Sequence, residues 1–283
     1  MKRFFIFLTA FVFCALCARA AEEIEINTED EWIISGSYEP AAPAENAENT
    51  ENIQPAKYLL LLHDLGKDKT EFSKLGNKLK NAGFGFLAVD LRGHGKSINK
   101  GEQKQFIKTG VNNEFNQMVR DVTAAVYYLN GKGIATENIY LVGSGLGANI
   151  AAKSLIFTPD IAGIALLTPS LKMRGVLTIS GIRMNKKPVF IAVSSEDRKQ
   201  MVEASIIHKA AFLSCGEGKV TFMTAYDLKG AEMINKYLTD EFLQWLKQPQ
   251  LPEIIADIPE EENINVLIQD ATGLQPSAET SLR

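Results

Sequence analysis

The stretch Ile139-Tyr-Leu-Val-Gly-Ser-Gly-Leu-Gly-Ala-Asn-Ile-Ala151 decides how this chain folds. Its first four residues are apolar throughout, as a strand buried on both faces requires. Gly143, Gly145 and Gly147 then mark a sharp turn, and Ala148-Asn-Ile-Ala151 starts a helix. Glycine suits a strained strand-to-helix turn because it carries no Cβ to penalise positive φ. Asn149 and Ile150 follow Gly147 and Ala148, so the spacing is not that of a G-x-G-x-x-G dinucleotide fingerprint. The chain also lacks a G-x-x-x-x-G-K-[ST] phosphate loop.

Outward from this stretch the same pattern alternates. Short apolar runs recur at Tyr58–Leu62, Phe84–Val89, Ile139–Val142, Ala162–Leu167, Val189–Val193 and Val220–Thr224. Runs this short, bounded by Gly, Pro or Asp, fit buried strands of a parallel sheet. Between them the spacing is helical. Phe72, Leu75 and Leu79 recur at three and four, as do Phe115, Met118, Val119, Val122, Val126 and Leu129. The alternation predicts an α/β fold, a mainly parallel sheet with helices on both faces. Ile24–Asn27 and Trp32–Ser37 read as an antiparallel hairpin on the sheet edge, and there is no internal repeat.

The ends of the 283-residue chain read differently. Lys2 and Arg3, an apolar run from Phe4 to Leu16, and Ala18-Arg-Ala20 form a secretory leader, residues 1–20. Cleavage after Ala20 is expected, which places the protein in a periplasmic or extracellular setting. An uncleaved anchor or a lipid-modified Cys17 are the alternatives, the second opposed by Leu16. Of the three cysteines only Cys215 lies outside the leader, so no intramolecular disulfide is possible after export. Residues 22–247 suit one large domain with an ample core. Glu39 to Pro55 reads as a solvated connection, and 248–283 as a flexible acidic tail. Within that tail Ile264–Ile268 is either a short strand or a partner-binding segment. The net charge is −4 with both signs dispersed. No basic patch points to nucleic acid, and no second apolar run is long enough to cross a membrane. There is no H-E-x-x-H and no Cys/His cluster with zinc spacing, so neither metal nor cofactor is expected.

Four segments, in order, resemble the α/β-hydrolase superfamily over about Glu25 to Trp245. Leu60-Leu-Leu-His-Asp-Leu-Gly66 resembles the turn after the third strand, and Val89-Asp-Leu-Arg-Gly-His-Gly-Lys-Ser97 resembles the Asp-x-Arg-Gly-His-Gly-x-Ser loop. Gly143 to Gly147 resembles the G-x-S-x-G nucleophile elbow, and Pro188 to Asp197 the strand and turn that present the triad acid. The short Lys172–Lys187 connection leaves no room for a lid. The resemblance is therefore to the cap-less esterase and serine-aminopeptidase-like branch, whose open site usually serves small or extended substrates.

That resemblance implies a Ser-His-Asp mechanism, and the slots can be filled one by one. The nucleophile slot holds Gly145, which cannot attack. Ser144 beside it would set Val142 and Leu146 at flanking positions that need small residues, and otherwise reads as a hydrogen-bonded turn serine. The acid slot holds Asp197, although Asp in a post-strand turn is common for structural reasons alone. In Tyr226-Asp-Leu-Lys-Gly-Ala-Glu-Met233 the histidine slot holds Lys229. Asp197 beside it would raise rather than lower a lysine pKa, so an ion pair is the preferred reading and a solvated Lys229 the alternative. A partly buried pair would cost about 3–5 kcal/mol to break. Outside the leader the only histidines are His63 and His94, with structural roles in their loops, and His208, read as a surface or boundary residue. The N–H groups of Leu65 and Leu146 are the candidate oxyanion hole, with Asp64 standing where the family often has glycine. Cys215 reads as a buried or edge thiol.

Three functions follow, of which the first is the preferred reading and the other two are its alternatives. The first is a pseudoenzyme that binds a small molecule or peptide in a pocket above the elbow, or acts as a scaffold. The second is a hydrolase of carboxylic esters using Ser144 or an activated water. The third is an interaction protein working through its tail.

Overall fold

The structure, a computed structural model, describes residues 21–42, 55–110, 112–216 and 218–249. The leader, most of the connection before Pro55 and nearly all of the acidic tail lie outside these residues.

Ten strands and eight α-helices are described. The strands are β1 (Glu22–Asn27), β2 (Ile33–Glu39), β3 (Tyr58–Leu62), β4 (Gly85–Val89), β5 (Ile139–Ser144), β6 (Gly163–Leu167), β7 (Lys172–Met173), β8 (Val176–Leu177), β9 (Val189–Ser194) and β10 (Val220–Ala225). The helices are α1 (Ser73–Asn81), α2 (Glu114–Gln117), α3 (Val119–Gly131), α4 (Leu146–Ser154), α5 (Ile179–Met184), α6 (Arg198–Cys215), α7 (Ala231–Lys236) and α8 (Thr239–Lys247). Eight strands form one sheet in the order β1-β2-β4-β3-β5-β6-β9-β10. The pairs from β4 to β10 are parallel, while β1–β2 and β2–β4 are antiparallel.

Successive strand residues point to opposite faces, and in the central strands both faces are dry. Leu60 and Leu62 of β3 pack with Val122 and Val126 of α3, Ile150 of α4 and Ile206 of α6. Leu59 and Leu61 face the other way, toward Leu75 and Leu79 of α1, Ile234 of α7 and Phe242 and Trp245 of α8. All four leucines are fully buried. The uninterrupted apolar run that signalled a parallel strand thus feeds two separate cores.

Between β6 and β9 stand only the β7–β8 hairpin and the six-residue helix α5. There is no lid domain. Among the described residues no helix is long and apolar enough to cross a membrane.

The loop after β4 is anchored by buried charge. Arg92 and Asp121 are both fully buried, and Arg92 binds Asp121 through Nε at 2.8 Å and Nη2 at 2.7 Å. Arg92 also reaches Asp30 at 2.6 Å and lies over the Trp32 ring. Burial opposes the charge on Arg92, but the carboxylates around it outweigh that and hold its proton more firmly than usual. Asp90 accepts from the Lys69 and Lys96 backbone N–H groups and from Lys69 Nζ.

One expectation needs correction. His208 is not a surface residue: it is 1% exposed and packs edge-on against Phe222. Phe222 belongs to β10, so His208 faces the sheet, and the Ser205–His208 segment of α6 is buried throughout.

Candidate active site

The turn between β5 and α4 is built backbone against backbone. A Cβ at Gly147 would collide with the Leu62 carbonyl, so only glycine lets the start of α4 approach β3. Gly145 at the apex is the N-cap of α4, with φ 50° and ψ −111°. Its N–H donates to the Leu167 carbonyl at 2.9 Å, which ties the apex to β6. This is a strained turn of the kind that presents its middle residue outward. Here that residue has no side chain.

The space over the apex belongs to Asp64. Its Oδ1 accepts from the Leu146 N–H at 2.8 Å and from the Leu65 N–H at 2.7 Å. These are the two groups that would face a developing oxyanion. The carboxylate points inward onto both, and a Cβ on Gly145 would land on it. Leu146 is the first residue of α4, where the free N–H groups and the helix dipole favour an anion. The backbone of Asp64 is held as well. Its N–H donates to Glu71 Oε2 at 2.8 Å, and its carbonyl accepts from His63 Nδ1 at 2.8 Å.

Ser144 turns to Glu71. It is 1% exposed, and Oγ donates to Glu71 Oε1 at 2.8 Å. Glu71 therefore joins Ser144 to the Asp64 backbone, and burial pushes its carboxyl above the usual carboxylate range. A carboxylate that accepts from a serine orients its hydroxyl and, when burial raises its pKa, is also a better base than an exposed one. No motif marked Glu71 in the sequence; its role arises where β3 and β5 lie side by side.

Asp197 and Lys229 meet across the ends of β9 and β10. Lys229 Nζ lies 2.8 Å from Asp197 Oδ2, with side chains 60% and 29% exposed. Lys229 holds the Asp197 carboxyl below its ordinary range. Asp197 also serves as the N-cap of α6, accepting from the Gln200 N–H at 3.1 Å. At this exposure the pair is worth at most about 1 kcal/mol, below the 3–5 kcal/mol of a buried one.

His63 and His94 face one another with ring centroids 4.9 Å apart beside the loop after β4. The Leu91 N–H donates to His63 Nε2 at 3.0 Å, so both ring nitrogens of His63 are used by backbone. Burial pulls its pKa down to about 4. Cys215 is buried next to Asn185, and burial pushes its thiol up. Among the described residues no three His, Cys, Asp or Glu side chains gather to hold a metal ion. A cavity of about 470 Å³ opens along α3, lined by Asn27, Val119, Thr123, Tyr127 and Phe157, none of which belongs to the turn.

With this geometry in view, the profile of the serine aminopeptidase S33 family matches residues 53–208. That span is more than half of the chain. The chain belongs to this family. The matched span contains the turn, Asp64 and Asp197 but ends before Lys229. A search of curated proteins found no match. Solved structures agree on the fold. An esterase of Pyrococcus furiosus has TM-score 0.61 at 18% identity, covering 82% of this chain and 93% of its own. An esterase of Exiguobacterium antarcticum has TM-score 0.59 at 13% identity, covering 80% of this chain and 100% of its own. A thermophilic esterase of Thermogutta terrifontis has TM-score 0.57 at 14% identity, covering 82% of this chain and 100% of its own. This member of the serine aminopeptidase family thus has the esterase-like α/β-hydrolase fold.

Proposed function

We propose that this chain is an exported, non-catalytic member of its hydrolase family, acting as a binding or scaffold protein. The observation that carries the reading is Asp64: its carboxylate lies on the Leu65 and Leu146 N–H groups, over an apex residue with no side chain. A hydrolase needs that place empty for a substrate oxygen and the apex filled by a nucleophile. Lys229 in the base position supports the same conclusion, since the imidazole that shuttles the serine proton is missing and a lysine paired with Asp197 stands there instead. Export rests on the leader-like first twenty residues. Ser144 as a substitute nucleophile is disfavoured by its burial.

Short-chain aryl-ester hydrolysis by the chain lacking its leader, beside its Ser144→Ala variant, tests the reading. The expected result is a rate equal to buffer for both. Turnover that disappears in Ser144→Ala overturns it.

A further inference from the structure

An oxyanion hole is an anion site that normally stands open for a transient charge. Here two N–H groups, from different parts of the chain, converge on one permanent carboxylate oxygen at 2.7 and 2.8 Å. The carboxylate is delivered by the residue between β3 and the loop that leads to α1, and its backbone is pinned by Glu71 and His63. The room it fills is the room a side chain at position 145 would need. An aspartate there and a side chain at the apex exclude one another.

We propose that Asp64 is a tethered ligand of this anion site, and that Gly145 is the residue that makes room for it. The site then remains specific for a carboxylate. In the intact chain it is self-occupied and closed to outside anions; without the Asp64 side chain it accepts a free small carboxylate such as formate. The inference deepens the non-catalytic reading of the same site and rests on it for its place in the fold. Its test does not depend on turnover.

Thermal unfolding of the wild type, Asp64→Ala, Gly145→Ala and the double variant supplies the test. Asp64→Ala leaves two partly buried N–H groups short of an acceptor, and its Tm should fall by roughly 2–8 °C. Sodium formate should return at least half of that fall, where sodium chloride at equal ionic strength does not, and the wild type should not respond to formate. Gly145→Ala should lower Tm in the wild type by displacing the carboxylate, and clearly less in the Asp64→Ala background. The strain of an alanine at φ 50° is common to both backgrounds and cancels in the comparison. Equal costs of Gly145→Ala in both backgrounds, or a formate response shared by all four proteins, overturn the proposal. If Asp64→Ala does not fold, Asp64→Asn takes its place. Its amide fills the same volume, so Gly145→Ala must cost as much there as in the wild type and formate must have no effect; a smaller cost or a formate gain overturns the proposal. Ester turnover by the wild type would overturn the non-catalytic reading, and the double-variant cycle would still decide whether Asp64 and Gly145 are coupled.

Discussion

Arg92 and Lys229 are both cations paired with an aspartate about thirty residues away in sequence, yet they teach opposite lessons. Arg92 is fully buried with Asp121, held by two guanidinium contacts and stacked over Trp32. Lys229 stands 60% exposed against Asp197 and makes one contact. The first pair lies under a loop that keeps its family pattern almost letter for letter. The second stands across the ends of β9 and β10, where the resemblance places a catalytic histidine and its acid. Charges taken out of water hold each other in place because neither can be removed alone. A solvated pair imposes no such demand, so the residues at a cleft rim can change with little effect on the fold.

The comparison can be broken most directly at Asp121. Asp121→Ala should destabilise the protein by about 3–5 kcal/mol in urea unfolding, because it removes the one fully buried carboxylate among the partners of Arg92 and leaves the guanidinium to Asp30 and Glu114 at the rim. A cost under about 1 kcal/mol would put the Arg92 cluster in the same class as the surface pair.

His63 joins the two regions, since it binds the loop at Leu91 and the hole at Asp64. Its pKa is about 4 in the folded chain against an ordinary 6.5. The unfolded chain therefore takes up the proton first as pH falls. The stability tied to neutral His63 is complete above about pH 6.5 and is lost on the way down to about pH 4, on the order of 3 kcal/mol. Burial also lowers the His94 pKa, which acts in the same sense. Urea unfolding at pH 7, 5.5 and 4.5 should show the fall; an imidazole NMR titration placing His63 near 6.5 would exclude it.

The cleft yields the next effect. Gly145→Ser with Lys229→His rebuilds the side chains of a triad but sets the new side chain against the Asp64 carboxylate, which competes for the same room. Adding Asp64→Gly should raise aryl-ester turnover by about a hundredfold over that double variant, the scale on which an oxyanion-hole contact acts. Equal rates with and without Asp64 would mean that its carboxylate swings clear of the hole once the serine is present. The smallest effect belongs to Lys229→Ala, expected to change stability by less than about 1 kcal/mol and to lose even that in high salt. A loss of 3 kcal/mol or more would make the pair as structural as Arg92–Asp121.

Much of this was legible in the residues. The six apolar runs became six parallel strands, five of them buried at every position, because a strand dry on both faces must be apolar throughout. β4 and β6 each start one residue later than read, at Gly85 and Gly163, and three other runs extend by one or two residues at their ends. The edge hairpin was visible in its alternation. His208 misled because two isoleucines before a polar residue look like the rim of a helix, and only the packing of α6 on β10 shows that His208 lies against the sheet.

For the site, the sequence by itself determined which atoms are there: no side chain at position 145, an ammonium at 229, and carboxylates at 64 and 197. It also determined the turn that holds them, because spacing and glycine content report backbone geometry directly. The tertiary structure alone decided where the Asp64 carboxylate points. A carboxylate beside a pair of N–H groups can turn outward to water or inward onto them. Which way it turns depends on a backbone held by Glu71 and His63, on the start of α4, and on the gap left by Gly145. Those contacts join parts of the chain far apart in sequence, and no local pattern records them.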